Sequence, residues 1–451
     1  MGSQINKILF KRVDNSALIV FRVLFGLLVA FECWGAMFTG WIQKVFVEAK
    51  FNFNFIGFDF LEPLPGTGMY YYYFVMGLLG IFIMIGFYYK WSIALFTLLW
   101  SASYLMQKSA YNNHYYLLIL ICIFMLIVPA HAYLSYDTRK RNLPESYSMP
   151  QWVRLFIIAQ LFIVYVYASV AKMYPDWLNF NVVEALMSYK KGYPLIGEML
   201  QTTTSIYVIT YVGLLFDLLV VPLLLWKKTR MITFILSVVF HLSNSIIFGI
   251  GIFPYLSLAF ILFFFPAHTI NKKFIPHKPF YNQNEVKVSN YSPGFKTFLI
   301  IWFIIQLALP LRHHFTKGDV LWTEEGHRMS WRMMLRTKQN ISKFKIVNLN
   351  TKKTEYINKR KYLTHKQIGS LGKPDFIWQF SKMIEAYYAK RDIPVAVYAD
   401  VKISVNDRPY YQLTNPTQDM TKVKWDYFFH NDWIKVPPKN FYELELSSSK
   451  D

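Results

Sequence analysis

Six ionisable side chains stand inside long apolar runs: Arg22, Glu32, His114, Lys172, Asp217 and His241. An ionisable group at membrane depth is costly, which makes each a candidate for proton transfer or ligand contact. Each also has a plainer reading. Arg22 lies near one end of its run, where snorkelling to the interface is the simpler expectation. Glu32 and Asp217 lie deeper, where a structural ion pair or a neutral, hydrogen-bonded carboxyl accounts for them equally well. A lone imidazole such as His241 is more often a satisfied packing residue than a catalyst. Lys172 closes the run Gln160–Lys172 (QLFIVYVYASVAK), close to an interface. It reads either as a snorkelling anchor or as a desolvated amine; desolvation disfavours the ammonium form and makes a neutral base available. The block Lys108–His114 (KSAYNNH) precedes another run. Asn112 or Asn113 could cap the helix that follows, or the two amides and His114 could hydrogen-bond a polar ligand head; composition does not separate these readings.

The elements that must hold these groups follow from composition. Of 451 residues, 54% are hydrophobic and 17% charged, against about 25% charged in an ordinary soluble domain. That deficit argues against a soluble enzyme and against disorder. At about 20 apolar residues per crossing, the sequence predicts nine spans, near 18–38, 70–88, 91–106, 115–134, 152–173, 205–226, 231–249, 252–266 and 295–311. The third and eighth are short and read as tilted, re-entrant or hairpin-paired. The first run lacks a small-residue cleavage site and is read as a span, not a signal peptide. The net charge of +21 is read as inner-face charge of a membrane protein rather than a nucleic-acid footprint. Basic residues gather at Lys7, Lys11 and Arg12, at Lys90, at Arg139–Arg141, at Lys227, Lys228 and Arg230, and at Lys272, Lys273 and Lys278. That alternation places the N-terminus inside and residues after 311 outside the cytoplasm. The two cysteines, Cys33 and Cys122, lie in apolar runs and build neither a disulfide framework nor a zinc signature.

Residues 312–451 are polar, with 25 Lys or Arg against 15 Asp or Glu. Alternation over Pro394–Val405 and again over Phe441–Leu446 predicts strands. Apolar positions Phe376, Phe380, Met383, Ile384 and Tyr387 predict an amphipathic helix over Asp375–Lys390. The expected fold is an all-α polytopic membrane domain, 1–311, of about nine transmembrane helices. It is followed by a small extracytoplasmic β-rich domain, 312–451, mostly strands with one helix.

Six segments carry a resemblance. They are Phe21–Gly26 (FRVLFG); Leu61–Pro65 (LEPLP) with Met69 and Tyr70; Lys108–Leu117 (KSAYNNHYYL); Ala168–Trp177 (ASVAKMYPDW); His241–Ser245 (HLSNS) with Phe248, Gly251 and Phe253; and Leu309, Pro310, His314, Trp322 and Met329–Trp331 with Met333 and Met334. In this order, over about residues 20–335, they resemble the vitamin K-dependent gamma-glutamyl carboxylases and their bacterial relatives with the horizontally transferred transmembrane domain.

The resemblance implies an enzyme in which a membrane-embedded lysine deprotonates a reduced naphthoquinone. Dioxygen adds, the product is the epoxide, and the basic oxygen species formed on the way removes a gamma proton from protein glutamate. The carbanion captures carbon dioxide. By resemblance the lysine is Lys172 and the motif histidine His114, with Asn112, Asn113, His241 and Asn244 as quinone-pocket groups. The implied cofactor is reduced vitamin K or a menaquinol-type naphthoquinone, with O2 and CO2 as co-substrates. The implied partners are the bilayer and a glutamate-containing extracytoplasmic protein or peptide, with no nucleic acid and no metal. The implied location is a bacterial inner membrane with the tail in the periplasm. The residues suit this chemistry: a quinol is best delivered from lipid, and a strong base must be shielded from water. Antiparallel spans put the outer ends of the fourth and fifth on one face, so a pocket shared by His114 and Lys172 is geometrically allowed. Departures from the animal enzymes are the short tail, cysteines confined to spans, which excludes a tail disulfide, and Arg332 where the animal pattern has an acidic residue. The alternatives are a quinol epoxidase or oxygenase without glutamate carboxylation, and a non-enzymatic transporter or scaffold. The last finds no support in an internal repeat.

Overall fold

All nine apolar runs are helical in the computed structural model, which describes residues 2–283, 285–288 and 292–443. The helices are α1 Ser16–Phe38, α2 Gly68–Ile85, α3 Tyr89–Met106, α4 Asn113–Ile127, α5 Gln151–Lys172, α6 Thr203–Leu225, α7 Arg230–Phe248, α8 Phe253–Phe260 and α9 Ser292–Leu311. Among the described residues six stretches are long and apolar enough to cross a bilayer: α1, α2, α5, α6, α7 and Pro293–Phe315. The pair Phe253–Phe263 and Ala267–Phe274, bent by 116°, adds a seventh if it is one span. The bend falls at Pro266, which cannot continue a helical hydrogen-bond ladder. α4 stops at Ile127 rather than near 134 because Val128 precedes Pro129 and takes an extended conformation, ψ 151°. α3 is diluted by Lys90, Ser92, Thr97, Ser101 and Ser103.

The chain forms two compact units: residues 1–47, 54–165 and 218–306, and residues 48–53, 166–217 and 307–451. In the first unit α1 and α2 cross closely. A Cβ on Gly26 would fall 2.4 Å from the backbone N of Met84, and one on Gly80 2.8 Å from that of Ala30. Only glycine lets two backbones approach so near, the usual device between membrane helices. Strand β1, Arg12–Asp14, pairs antiparallel with β2, Ser148–Pro150. Beside it Lys278 Nζ lies 2.6 Å from Asp14 Oδ2, both side chains fully buried. Arg22 does not snorkel. It is buried and donates to the carbonyls of Ala130, Tyr133 and Leu134, at 3.2, 3.2 and 2.5 Å. The broken chain after α4 leaves carbonyls without helical partners, and the guanidinium satisfies them there.

In the second unit, β3 Lys338–Asn348, β4 Thr354–Tyr356, β5 Val395–Val405 and β6 Tyr411–Gln412 form an antiparallel sheet in the order β4-β3-β5-β6. Helix α10, Pro374–Ala389, opens with proline at its first position, where no N–H is needed. It buries Phe376, Phe380 and Ile384 in one core with Phe344, Val397, Val401 and Ile403. The helix and the long strand match their sequence patterns. The expectation of a mostly stranded tail does not hold: β4 and β6 are three and two residues long, and 413–440 is irregular. Pro416, Pro437 and Pro438 have no N–H to offer a ladder there. Phe441–Glu443 is a 3-10 turn instead of a strand; Leu444 to Leu446 lie outside the described residues.

Candidate functional site

Two buried polar clusters hold the residues singled out in the sequence, one in each unit. In the first unit, α4 begins where it does because Asn112 caps it, its side chain accepting from Tyr115 N at 2.7 Å. Asn113 is buried and accepts from the Tyr111 hydroxyl at 2.7 Å. His114 neither caps nor points away: its ring stacks on Phe253 at 4.2 Å and 14°. On Phe253 also sits His241, edge-on at 6.0 Å and 80°. His241 is buried, and its Nε2 lies 3.0 Å from Tyr165 Oη. Two histidines 127 positions apart thus share one phenyl ring at the start of α8. Asn244 is half-buried on α7, one turn beyond His241. Tyr115 donates to Glu32 at 2.8 Å, so Glu32 takes the hydrogen-bonded carboxyl reading.

Two cavities adjoin these residues. One is walled by Trp41, Phe46, Tyr73, Trp100, Tyr111 and Tyr115. The other is lined by Tyr165, Ser237, His241 and Ser257 with Val220 and Phe264. Both are narrow, with apolar walls and a few hydroxyl or imidazole groups.

In the second unit Lys172 is the last residue of α5. Its Nζ donates to Gly213 O at 2.8 Å and meets Asp217 Oδ2 at 2.5 Å, both partners on α6. The two side chains are only 10% and 8% exposed, and the Trp177 ring lies 5.3 Å from Nζ. Lys172 therefore neither snorkels nor stands as an isolated amine. Asp217 thus has Lys172 as its partner, at ion-pair distance. The sequence named both residues but gave no signal joining them, because partners 45 positions apart are matched by helix packing alone.

Sequence reasoning missed a third feature of this unit. Asp176, four residues after Lys172, is gripped by Arg408 through both oxygens at 2.6 and 2.5 Å and by Asn406 at 2.6 Å, wholly buried. It missed a fourth as well: Glu324, at φ 62°, is met by Arg336 and, at 3.1 Å, by Lys338. Burial works to raise the Glu324 carboxyl, yet Arg336 and Lys338 together hold it well below the usual range. Burial pushes the Lys338 amine down to about 8. Among the described residues no group of three or more His, Cys, Asp or Glu could hold a metal ion.

Fold and buried groups together define a multi-pass membrane protein with ionisable residues inside its helices and a small strand-containing C-terminal region. Two family matches tile this arrangement: the HTTM domain over residues 10–268, and the vitamin K-dependent gamma-carboxylase lumenal domain over residues 292–440. The chain belongs to the vitamin K-dependent gamma-carboxylase family. The match of the tail to a lumenal domain fits an extracytoplasmic C-terminal region. No solved structure matches the chain.

Proposed function

We propose that the protein is a membrane enzyme that couples oxygenation of a reduced vitamin K- or menaquinol-type naphthoquinone to carboxylation of glutamate in an extracytoplasmic protein or peptide, with O2 and CO2 consumed. The observation that carries this reading is the buried Lys172–Asp217 pair in a chain whose two regions match the two modules of the family. When bound, a quinol oxidised to its epoxide supplies a basicity that no side chain has, enough for a gamma proton. The protein's own part is proton handling, orientation and dryness. Lys172 Nζ and Asp217 Oδ2 share one acidic proton and together can take a second: the carboxylate receives it in the charged pair, the amine in the neutral one. The Trp177 ring and the low exposure of both side chains keep water from competing. His114, His241 and Tyr165 are hydrogen-bonding groups beside apolar walls. With Asn112, Asn113 and Asn244 they would hold a quinone's oxygens. In this reading the N-terminus is inside, nine helices cross, and the tail lies in the periplasm of a bacterial inner membrane. Topology reporters fused at Lys140 and at Asp451 should then report opposite sides; the same side for both overturns the orientation.

The decisive experiment measures epoxide formation and CO2 incorporation separately on the full-length protein in nanodiscs. Wild type should show both, and Lys172→Ala neither, with partial recovery as pH rises. Normal epoxide formation by Lys172→Ala removes the lysine from the mechanism. Epoxide without CO2 fixed into any glutamate peptide by wild type selects the epoxidase reading instead.

A further inference from the structure

The segment Trp425–Val436 turns aromatic rings outward. Tyr427, Phe428 and Phe429 are 60%, 82% and 72% exposed. The loop that carries them is closed. Asp426 accepts from the backbone N of Phe428 and of Phe429, both at 2.8 Å. Asp426 N donates to Asn431 Oδ1 at 3.0 Å, and Asn431 Nδ2 returns to Asp426 O at 3.1 Å. Glu325 then fixes the base: it accepts from Asn431 N at 2.9 Å and Asn431 Nδ2 at 3.0 Å, and its other oxygen lies 2.6 Å from His430 Nδ1. Three adjacent rings held in water by so many bonds cost free energy unless something covers them, and exposed apolar patches of this kind mark interaction sites.

What covers them follows from where the loop is tied. Glu325 adjoins Gly326, which packs so tightly on His313 that an added Cβ would fall 2.8 Å from the His313 Cβ. His313 lies at the end of the apolar stretch Pro293–Phe315. At the other end of the segment, Val436 packs on Gly318, three residues past Phe315. Phe315 and Val436 are themselves 82% and 48% exposed. The outward apolar residues therefore gather where the last membrane stretch leaves the bilayer. Flanking them in the sequence, Lys317, Lys422, Lys424, Lys435 and Lys439 are exposed, against Asp426, already committed to the loop, Asp432 and Glu443. Exposed aromatics in a lysine-rich segment tied to a span's end are the composition of an interfacial anchor on an anionic bilayer.

We propose that Tyr427–Phe429 inserts into the headgroup region of the protein's own anionic bilayer and pins the C-terminal region to the lipid surface. This does not depend on the catalytic reading. The test uses the full-length protein with Phe428→Cys carrying a bimane label; the native Cys33 and Cys122 are buried. In nanodiscs of phosphatidylcholine and phosphatidylglycerol the emission should shift to the blue and lose most of its intensity to lipid with a doxyl group high on the acyl chain. It should lose less to lipid with the group near the chain end. Removing phosphatidylglycerol should weaken both effects. Water-like emission unquenched by either lipid overturns the proposal. So does a blue-shifted label that no doxyl lipid quenches, since a protein surface would then be covering the loop.

Discussion

The buried clusters of the two units are built on opposite electrostatic terms. Lys172 and Asp217 form an ion pair closed off by α5, α6 and Trp177. His114, Phe253, His241 and Tyr165 instead carry polarity on stacked and edge-on rings, with a hydroxyl–imidazole hydrogen bond between Tyr165 and His241. A buried pair depends wholly on its partner, because removal of one charge strands the other. A ring cluster loses only the contact that is deleted. A group that must give and take protons gains from a charged partner close by, whereas a pocket for a neutral aromatic molecule gains from donors that need no counter-charge.

The largest effect should come from the charged cluster. Lys172→Ala is expected to lower epoxide formation by about 100- to 10,000-fold, the range for loss of a general base, with membrane insertion retained. Asp217→Ala leaves Lys172 buried and unpaired and should destabilise the protein by about 3–5 kcal/mol. Asp217→Ala with Lys172→Met should recover much of that stability but no activity. Recovery of activity in the double variant would show that the pair is only structural.

In the ring cluster, His114→Ala should cost about 100- to 1000-fold in turnover, as for loss of one donor at a dry reacting centre, with little change in thermal stability. Asn112→Ala should in addition lose about 1 kcal/mol of stability as a deleted cap, which His114→Ala should not. Near-wild-type turnover for His114→Ala would remove it from the site.

The smallest effect concerns the tail, where Lys338 is the charged member that burial disfavours. Its folded value of about 8 lies below the ordinary 10.5. Between those limits the unfolded chain binds a proton that the folded one does not, so stability rises with pH through the window and is lost as pH falls through about 8. Thermal unfolding in nanodiscs should come later at about pH 10 than at pH 8, and Lys338→Met should flatten that rise. A flat wild-type profile would mean the amine is not held down.

Much of the fold was legible because hydrophobic patterning is local. Nine apolar runs formed helices, although among the described residues only six, or seven with the bent pair, are long and apolar enough to cross a bilayer, and the alternation of Val395, Val397, Ala399, Val401 and Ile403 became the core face of β5. Proline corrected the details, ending α4 at Ile127 and leaving 413–440 irregular. Candidate residues were legible one at a time, since an ionisable group in an apolar run stands out. Their partners were not. Nothing in the segment Ala168–Trp177 marks Asp176 as the buried seat of Arg408. Arg22 read as a snorkelling residue, yet it satisfies the carbonyls beyond α4.

The sequence by itself determined which segments form apolar helices and which ionisable side chains stand out in them, because both depend on the transfer of single groups out of water. Only the tertiary structure decided that Lys172 meets Asp217, that His114 and His241 meet on Phe253, and that Tyr427–Phe429 face outward beside the last apolar stretch. Those outcomes depend on which helix faces and loops come together. The chain records that only through the packing of the whole, where a charge must find its counter-charge and a ring its neighbour.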